Sequence, residues 1–206
     1  KVLQNNIGYI EFSSFDEGTA DEFKAKFEEL QKQGIKSLII DLRNNGGGIV
    51  DEALQIADYI LNKDDVILYE VDKNNKEKVE KAEKDPIIDM PIILLTNENT
   101  ASASEILAGA LKDKYPNTTI VGMKTYGKGV IQTLYSLSDG SGLKITTEEY
   151  YTPNKTKINK VGITPDYEVL LETSITRQPS QKYRKRTMCT LRIFWCRLTQ
   201  LDDVYN

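Results

Sequence analysis

The sequence predicts a single α/β domain with a largely parallel sheet, on three observations. Short apolar runs bounded by turn residues alternate with segments of helical period. Two of the runs, Ser37-Leu38-Ile39-Ile40-Asp41-Leu42 and Ile92-Ile93-Leu94-Leu95-Thr96, are apolar at consecutive positions, as strands covered on both faces are. The 206-residue chain is 39% hydrophobic, which suffices for one domain with a sizeable core.

Each element can be justified in turn. Ile7-Gly8-Tyr9-Ile10-Glu11-Phe12 alternates at period two and reads as a strand. Thr19-Ala20-Asp21-Glu22 has the form of a capping box, and Phe23, Phe27 and Leu30 follow at helical spacing until Gly34 closes the helix. After the strand at 37–42, Arg43-Asn44-Asn45-Gly46-Gly47-Gly48 is a tight turn. A helix from about Val50 to Leu61 puts Ala53, Ile56, Ala57 and Ile60 on one face.

Val66 to Val71 is a further strand, and the highly charged stretch from Asp72 to Asp85 reads as an exposed excursion. The strand at 92–96 leads through Asn97 to Thr100 into a helix from about Ala103 to Lys114. Thr119 to Gly122 is a short strand. Val130 to Leu137 and Leu143 to Tyr151 form a β-pair across Ser138-Asp139-Gly140-Ser141-Gly142.

Charge divides the chain. Residues 1–172 hold 20 Lys+Arg and 29 Asp+Glu, whereas residues 173–206 hold 7 and 2. The tail also contains both cysteines and the only tryptophan, Trp195. We therefore read 1–172 as the working core and 173–206 as a basic tail, either a terminal helix or a foreign or disordered end. The net charge of −4 gives no reason to expect nucleic-acid binding. The chain opens at Lys1 almost directly into a strand, without an initiator Met. It is expected to be an excised fragment whose targeting segment is missing.

The chain has no histidine. A Ser-His-Asp triad and a His-ligated metal site are both impossible, so a serine nucleophile would need another base. Lysine serves when its surroundings favour the free amine.

Two turns stand where a buried strand hands over to a helix, the usual ligand position in α/β sheets. Asn44-Asn45-Gly46-Gly47-Gly48 can point backbone N–H groups at a phosphate or a developing oxyanion, or can be a purely structural turn. It lacks the Gly-Lys-Ser/Thr ending of a phosphate loop. In Thr100-Ala101-Ser102-Ala103-Ser104-Glu105, Ser102 is a helix cap or a nucleophile in the positive field of a helix start. A third segment is Tyr126-Gly127-Lys128-Gly129-Val130-Ile131-Gln132. If it begins a strand, Lys128 and Gln132 share a face; otherwise Lys128 is a solvated turn residue.

In order and wording these segments resemble the carboxyl-terminal processing peptidases, or tail-specific proteases. Asp41 to Gly48 resembles the family's oxyanion turn, Thr100 to Glu105 its nucleophile segment and Gly127 to Gln132 its lysine segment. Val161-Gly162-Ile163-Thr164-Pro165-Asp166 resembles the segment that closes its core. The likeness runs from about Ile7 to Leu171. It implies a crotonase/Clp-protease-like core of stacked β-β-α units and a serine endopeptidase without metal or cofactor.

The resemblance implies Ser102 as nucleophile, Lys128 as general base and Gln132 as the residue that orients the lysine. It places the oxyanion hole at the N–H of Ala103 and of Gly47 or Gly48, with Ser104 as the rival nucleophile. It implies a protein or peptide substrate, allows a homo-oligomer, and suggests an extracytoplasmic, bacterial setting. Family members also carry a PDZ domain, to which nothing in this chain corresponds. Ser102 and Lys128 stand one residue further apart than in the family, an addition that fits the loop Tyr115-Pro116-Asn117. Two other classes are a non-catalytic module of the same fold that binds apolar ligands or peptides, and a crotonase-like acyl-CoA enzyme.

Overall fold

A computed structural model describes residues 1–170, so the basic tail lies outside the described residues. The chain runs β1 (Val2–Leu3), β2 (Ile7–Glu11), α1 (Thr19–Lys32), β3 (Ser37–Asp41), α2 (Val50–Asp58), β4 (Val66–Asp72) and β5 (Glu77–Lys81). It continues through β6 (Ile92–Thr96), α3 (Ala103–Lys114), β7 (Thr118–Gly122), β8 (Val130–Ser136), β9 (Gly142–Tyr151) and β10 (Tyr167–Glu168).

Two sheets result. The first has strand order β1-β2-β3-β6-β7-β10 and is parallel from β2 to β10, with β1 antiparallel at one edge. The second, β5-β4-β9-β8, is antiparallel. Helix α3 packs on β7 of the first sheet and β4 of the second, and also on α2. Every residue from Ala103 to Leu111 is buried, so this helix has no solvent face over its first two turns. Its start, where Ser102 sits, is thereby held from both sides. The core continues through Phe23, Phe27 and Leu30 of α1, with Phe12 and Phe23 meeting edge to face at 5.6 Å.

The helices and the central strands lie where hydrophobic period places them, except that α2 stops at Asp58, before the expected Leu61, which leaves Ile60 beyond its end. Two further expectations differ. The Thr19-to-Glu22 capping box does not form: the N-cap is Gly18, and α1 is capped from a distance. The Glu52 carboxylate of α2 accepts hydrogen bonds from the N–H groups of Gly18 (3.0 Å) and Ala20 (2.7 Å). A carboxylate there satisfies orphan donors and opposes the helix dipole, which a threonine hydroxyl does less well. The charged stretch after β4 is also not all excursion, because Glu77–Lys81 pairs with β4 as an edge strand. Its side chains are nearly all charged, as suits an edge, so no apolar alternation announces it.

Asp41, at the end of β3, is buried and sets the direction of the turn that follows. It accepts hydrogen bonds from the Arg43 guanidinium (Nε at 2.8 Å), the Arg43 N–H (3.1 Å) and the Tyr9 hydroxyl (2.7 Å). Burial alone would raise the Asp41 carboxyl. The Arg43 and Tyr9 hydrogen bonds outweigh it and hold the carboxyl below its ordinary range. The same contact, after burial, pushes the Tyr9 phenol up to about 12.

Two outcomes are expected. Replacing Glu52 by Ala should lower unfolding free energy by about 1–3 kcal/mol in urea titration, because two amide donors lose a charged acceptor. Asp41→Asn should cost about 2 kcal/mol near neutral pH. A depressed carboxyl stabilises the fold fully above its unfolded value, about 3.9, and loses that contribution as pH falls through the folded value. The gap between wild type and Asp41→Asn should therefore be constant from pH 8 to 5 and shrink below pH 4.

Candidate active site

The two turns singled out in the sequence follow β3 and β6, which are neighbours in the parallel sheet, so both open at the same edge. A set of polar contacts fastens them together. Asn44 N–H donates to Asn97 Oδ1 (2.9 Å), and Asn97 Nδ2 donates back to Asn44 Oδ1 (2.8 Å). Thr100 Oγ1 donates to Leu42 O (2.8 Å). The carbonyl of Asn45 accepts from Ala101 N–H (3.0 Å) and from Ser104 Oγ (3.1 Å). Ser104, the rival nucleophile, is fully buried, and its hydroxyl is engaged in that last bond.

Ser102 stands between β6 and α3 with φ 58° and ψ −120°, the geometry of the first central residue of a type II′ turn. The turn closes through Ser104 N–H to Ala101 O at 3.2 Å. A residue other than Gly or Asn pays strain in this region, and a strained strand-to-helix turn is one way to project a serine from a sheet edge. Ser102 is partly exposed.

The glycine turn comes close to it. A Cβ placed on Gly47 (φ +95°) would lie 2.7 Å from Ser102 Cβ and 2.9 Å from Ala103 N, so only glycine fits there. A Cβ on Gly48 (φ +150°) would stand 2.2 Å from Phe15 O. The two glycines differ in what their N–H groups do. Gly47 N–H donates to Asn45 Oδ1 at 2.9 Å. Gly48 is bridged to Phe15 through Gly47 O and Ile49 N–H, which leaves its own N–H without an acceptor among the described residues. The Ala103 N–H, first in α3, is likewise unclaimed among them.

Glu105 joins Ser102 to the lysine segment. Its side chain has no exposure and accepts four hydrogen bonds. They come from Ser102 N–H (2.9 Å), Thr125 Oγ1 (2.5 Å), Gly127 N–H (2.7 Å) and Lys128 N–H (2.8 Å). The Ser102–Glu105 bond is the carboxylate half of the capping box read from the sequence. The other three are long-range and invisible to sequence spacing. Tyr126 N–H adds a bond to Thr100 O (3.0 Å), and Thr125 and Gly127 are laced to the segment 158–163 through Ile163 and Lys160.

Lys128 is half-buried and lies in the loop before β8, not in the strand. Its side chain makes no hydrogen bond with Ser102 among the described residues. The strand alternation that would put Lys128 and Gln132 on one face starts only at Val130. Gln132 is exposed, and its amide donates to Thr146 Oγ1 at 3.5 Å instead of to the lysine.

A second buried residue, which the sequence did not single out, holds the lysine segment. The Tyr150 hydroxyl donates to the carbonyl of Lys128. Burial, then the charge of Glu105, pushes this phenol far up, and a hydrogen bond with the Ser102 hydroxyl opposes them. Period-two alternation placed Tyr150 in a strand but carried no signal of this contact.

Comparison with known proteins gives the family. A profile of peptidase family S41 matches residues 6–169. The chain is 39% identical over 169 residues to the chloroplastic C-terminal processing peptidase of Tetradesmus obliquus, covering 82% of this chain and 36% of that protein. It is 42% identical over 161 residues to the carboxyl-terminal-processing protease of Synechocystis sp., covering 78% of this chain and 37% of that one. The chain thus spans little more than a third of the relatives it matches.

Among solved structures, the photosystem II D1 C-terminal processing protease superposes with a TM-score of 0.74 at 36% identity, over 82% of this chain and 44% of that one. The α/β fold expected from the sequence is the fold of these proteases. With the profile running from before β2 to β10, the chain belongs to peptidase family S41.

Proposed function

We propose that this chain is the catalytic core of a serine endopeptidase that cleaves proteins near their C-termini, with Ser102 as nucleophile and Lys128 as general base. The observation that carries the reading is the single buried carboxylate that ties the strained Ser102 turn to the backbone of Lys128. A module that only bound apolar ligands or peptides would need neither the strain nor the tie.

The chemistry follows from the groups present. Lys128, acting as the free amine, takes the Ser102 hydroxyl proton while Oγ attacks the scissile carbonyl. The oxyanion is received by Ala103 N–H and Gly48 N–H. Gly48 is preferred because the Gly47 N–H is spent on Asn45. One such donor is worth about 2.7–4 kcal/mol in the transition state. The Lys128 ammonium then protonates the leaving amine, and water hydrolyses the acyl-enzyme by the same route. At rest Ser102 and Lys128 are not bonded, so the pair closes when substrate arrives. Gln132 lies four residues beyond Lys128 and would orient the amine once the start of β8 turns toward it. No metal or cofactor enters this scheme.

The substrate class and setting rest on relatives. Proteins named carboxyl-terminal processing proteases, bacterial and chloroplastic, share this core. We infer a protein substrate and an extracytoplasmic location. The rest of the full-length protein, including a PDZ domain, would select the substrate, and self-association is compatible with this reading.

Ser102→Ala and Lys128→Ala should each lower kcat on a protein with an unstructured C-terminus by about 10⁴-fold or more, and Ser104→Ala should change it little. Full activity in either of the first two variants overturns the assignment. Glu105→Gln puts amide hydrogens against N–H donors. It should cost about 3 kcal/mol of stability by thermal or urea unfolding, and should reduce turnover in the fraction that remains folded.

A further inference from the structure

We propose that Tyr150 is a positioning residue for the catalytic lysine, fixing the Lys128 carbonyl while Glu105 fixes the Lys128 N–H. This rests on the Ser102–Lys128 reading above and adds a residue to it.

The geometry is specific. Tyr150 lies on β9 of the second sheet and is 1% exposed, among the largest fully buried side chains. Its N–H donates to Gly129 O at 3.1 Å, and its hydroxyl donates to Lys128 O. Two successive carbonyls of the lysine segment are therefore bound by one residue. Counting Glu105, the Lys128 backbone is held at both its N–H and its C=O, by elements that are far apart in sequence. Only the side chain remains free to swing between rest and the serine.

The phenol has one proton, and the Lys128 carbonyl takes it. What remains is a phenol oxygen that can only accept. Tyr150 therefore does not act as acid or base. It keeps the lysine's Cα in place. Pairing with Glu70 on β4 fixes the position of Tyr150 in the second sheet.

The test uses the protein at its full native length. Tyr150→Phe keeps the ring and loses the donor. It should lower kcat by about 10- to 100-fold with KM within about twofold, because a misplaced base slows chemistry without removing substrate contacts. A fluorophosphonate probe, whose phosphorus is attacked by Ser102 Oγ with loss of fluoride, should phosphonylate Ser102 more slowly to the same degree. 4-Aminophenylalanine at position 150 restores a donor in the same space and should restore kcat; a residue that merely filled the core would not respond to that exchange.

Should Tyr150→Phe not fold, 4-fluorophenylalanine fills the oxygen's place without a proton and should show the same fall in kcat. Wild-type kcat in the donorless variants, or a loss that 4-aminophenylalanine does not recover, overturns the role of Tyr150. Turnover retained by Ser102→Ala or Lys128→Ala overturns the Ser–Lys reading itself, and this proposal with it, whatever Tyr150→Phe does.

Discussion

A carboxylate without solvent must be matched by donors, and Glu105 takes four. Left unmatched, such a charge would cost several kcal/mol, so the surrounding chain is committed to meeting it. Meeting it decides where the other parts go. The Ser102 N–H, the Thr125 hydroxyl and the N–H groups of Gly127 and Lys128 must converge on two oxygens. The strained backbone of Ser102 and the loop that carries Lys128 are therefore placed by one constraint. Because α3 is buried on all sides over its first two turns, Glu105 cannot swing out to water, and the strain at Ser102 has no cheap escape.

A second constraint acts on the glycine turn. The Asn97 side chain binds both the backbone N–H and the side chain of Asn44, and the Asn45 amide donates to Phe12 O, contacts that a strand ladder cannot make beyond its last pair. The result is a fixed edge between β3 and β6. It brings Gly47 against Ser102 and leaves the Gly48 and Ala103 donors unspent. Preorganised donors cost no rearrangement when charge develops, which is where enzymes of this kind gain most. Tyr150, from the second sheet, and the segment 158–163 close the third side.

The fold was largely legible because its signals are local. Consecutive apolar residues gave β3 and β6, and the helical spacing of Phe23, Phe27 and Leu30 gave α1. The boundaries of α3 were legible to the residue, because Ser102 and Glu105 form a cap signature and Tyr115-Pro116 stops the helix. What was missed was either charged or distant. The β5 strand has too few apolar residues to show a period, and Glu52 caps α1 from a different helix.

The site divides along the same line. The candidates Ser102, Lys128 and the glycines carry local wording, but their supports do not. Glu105 was visible as a cap and invisible as the anchor of Lys128, because its other partners lie about twenty residues away in sequence. Tyr150 carried no local mark at all. The same asymmetry explains why Gln132 was placed beside Lys128 by alternation while the chain places it against Thr146. Alternation holds only within a strand, and the lysine sits just outside one. The lysine is held instead through its backbone, by a carboxylate on one side and a phenol on the other. That leaves its side chain free to move, as the proposed role would require of a base that serves the nucleophile first and the leaving group second.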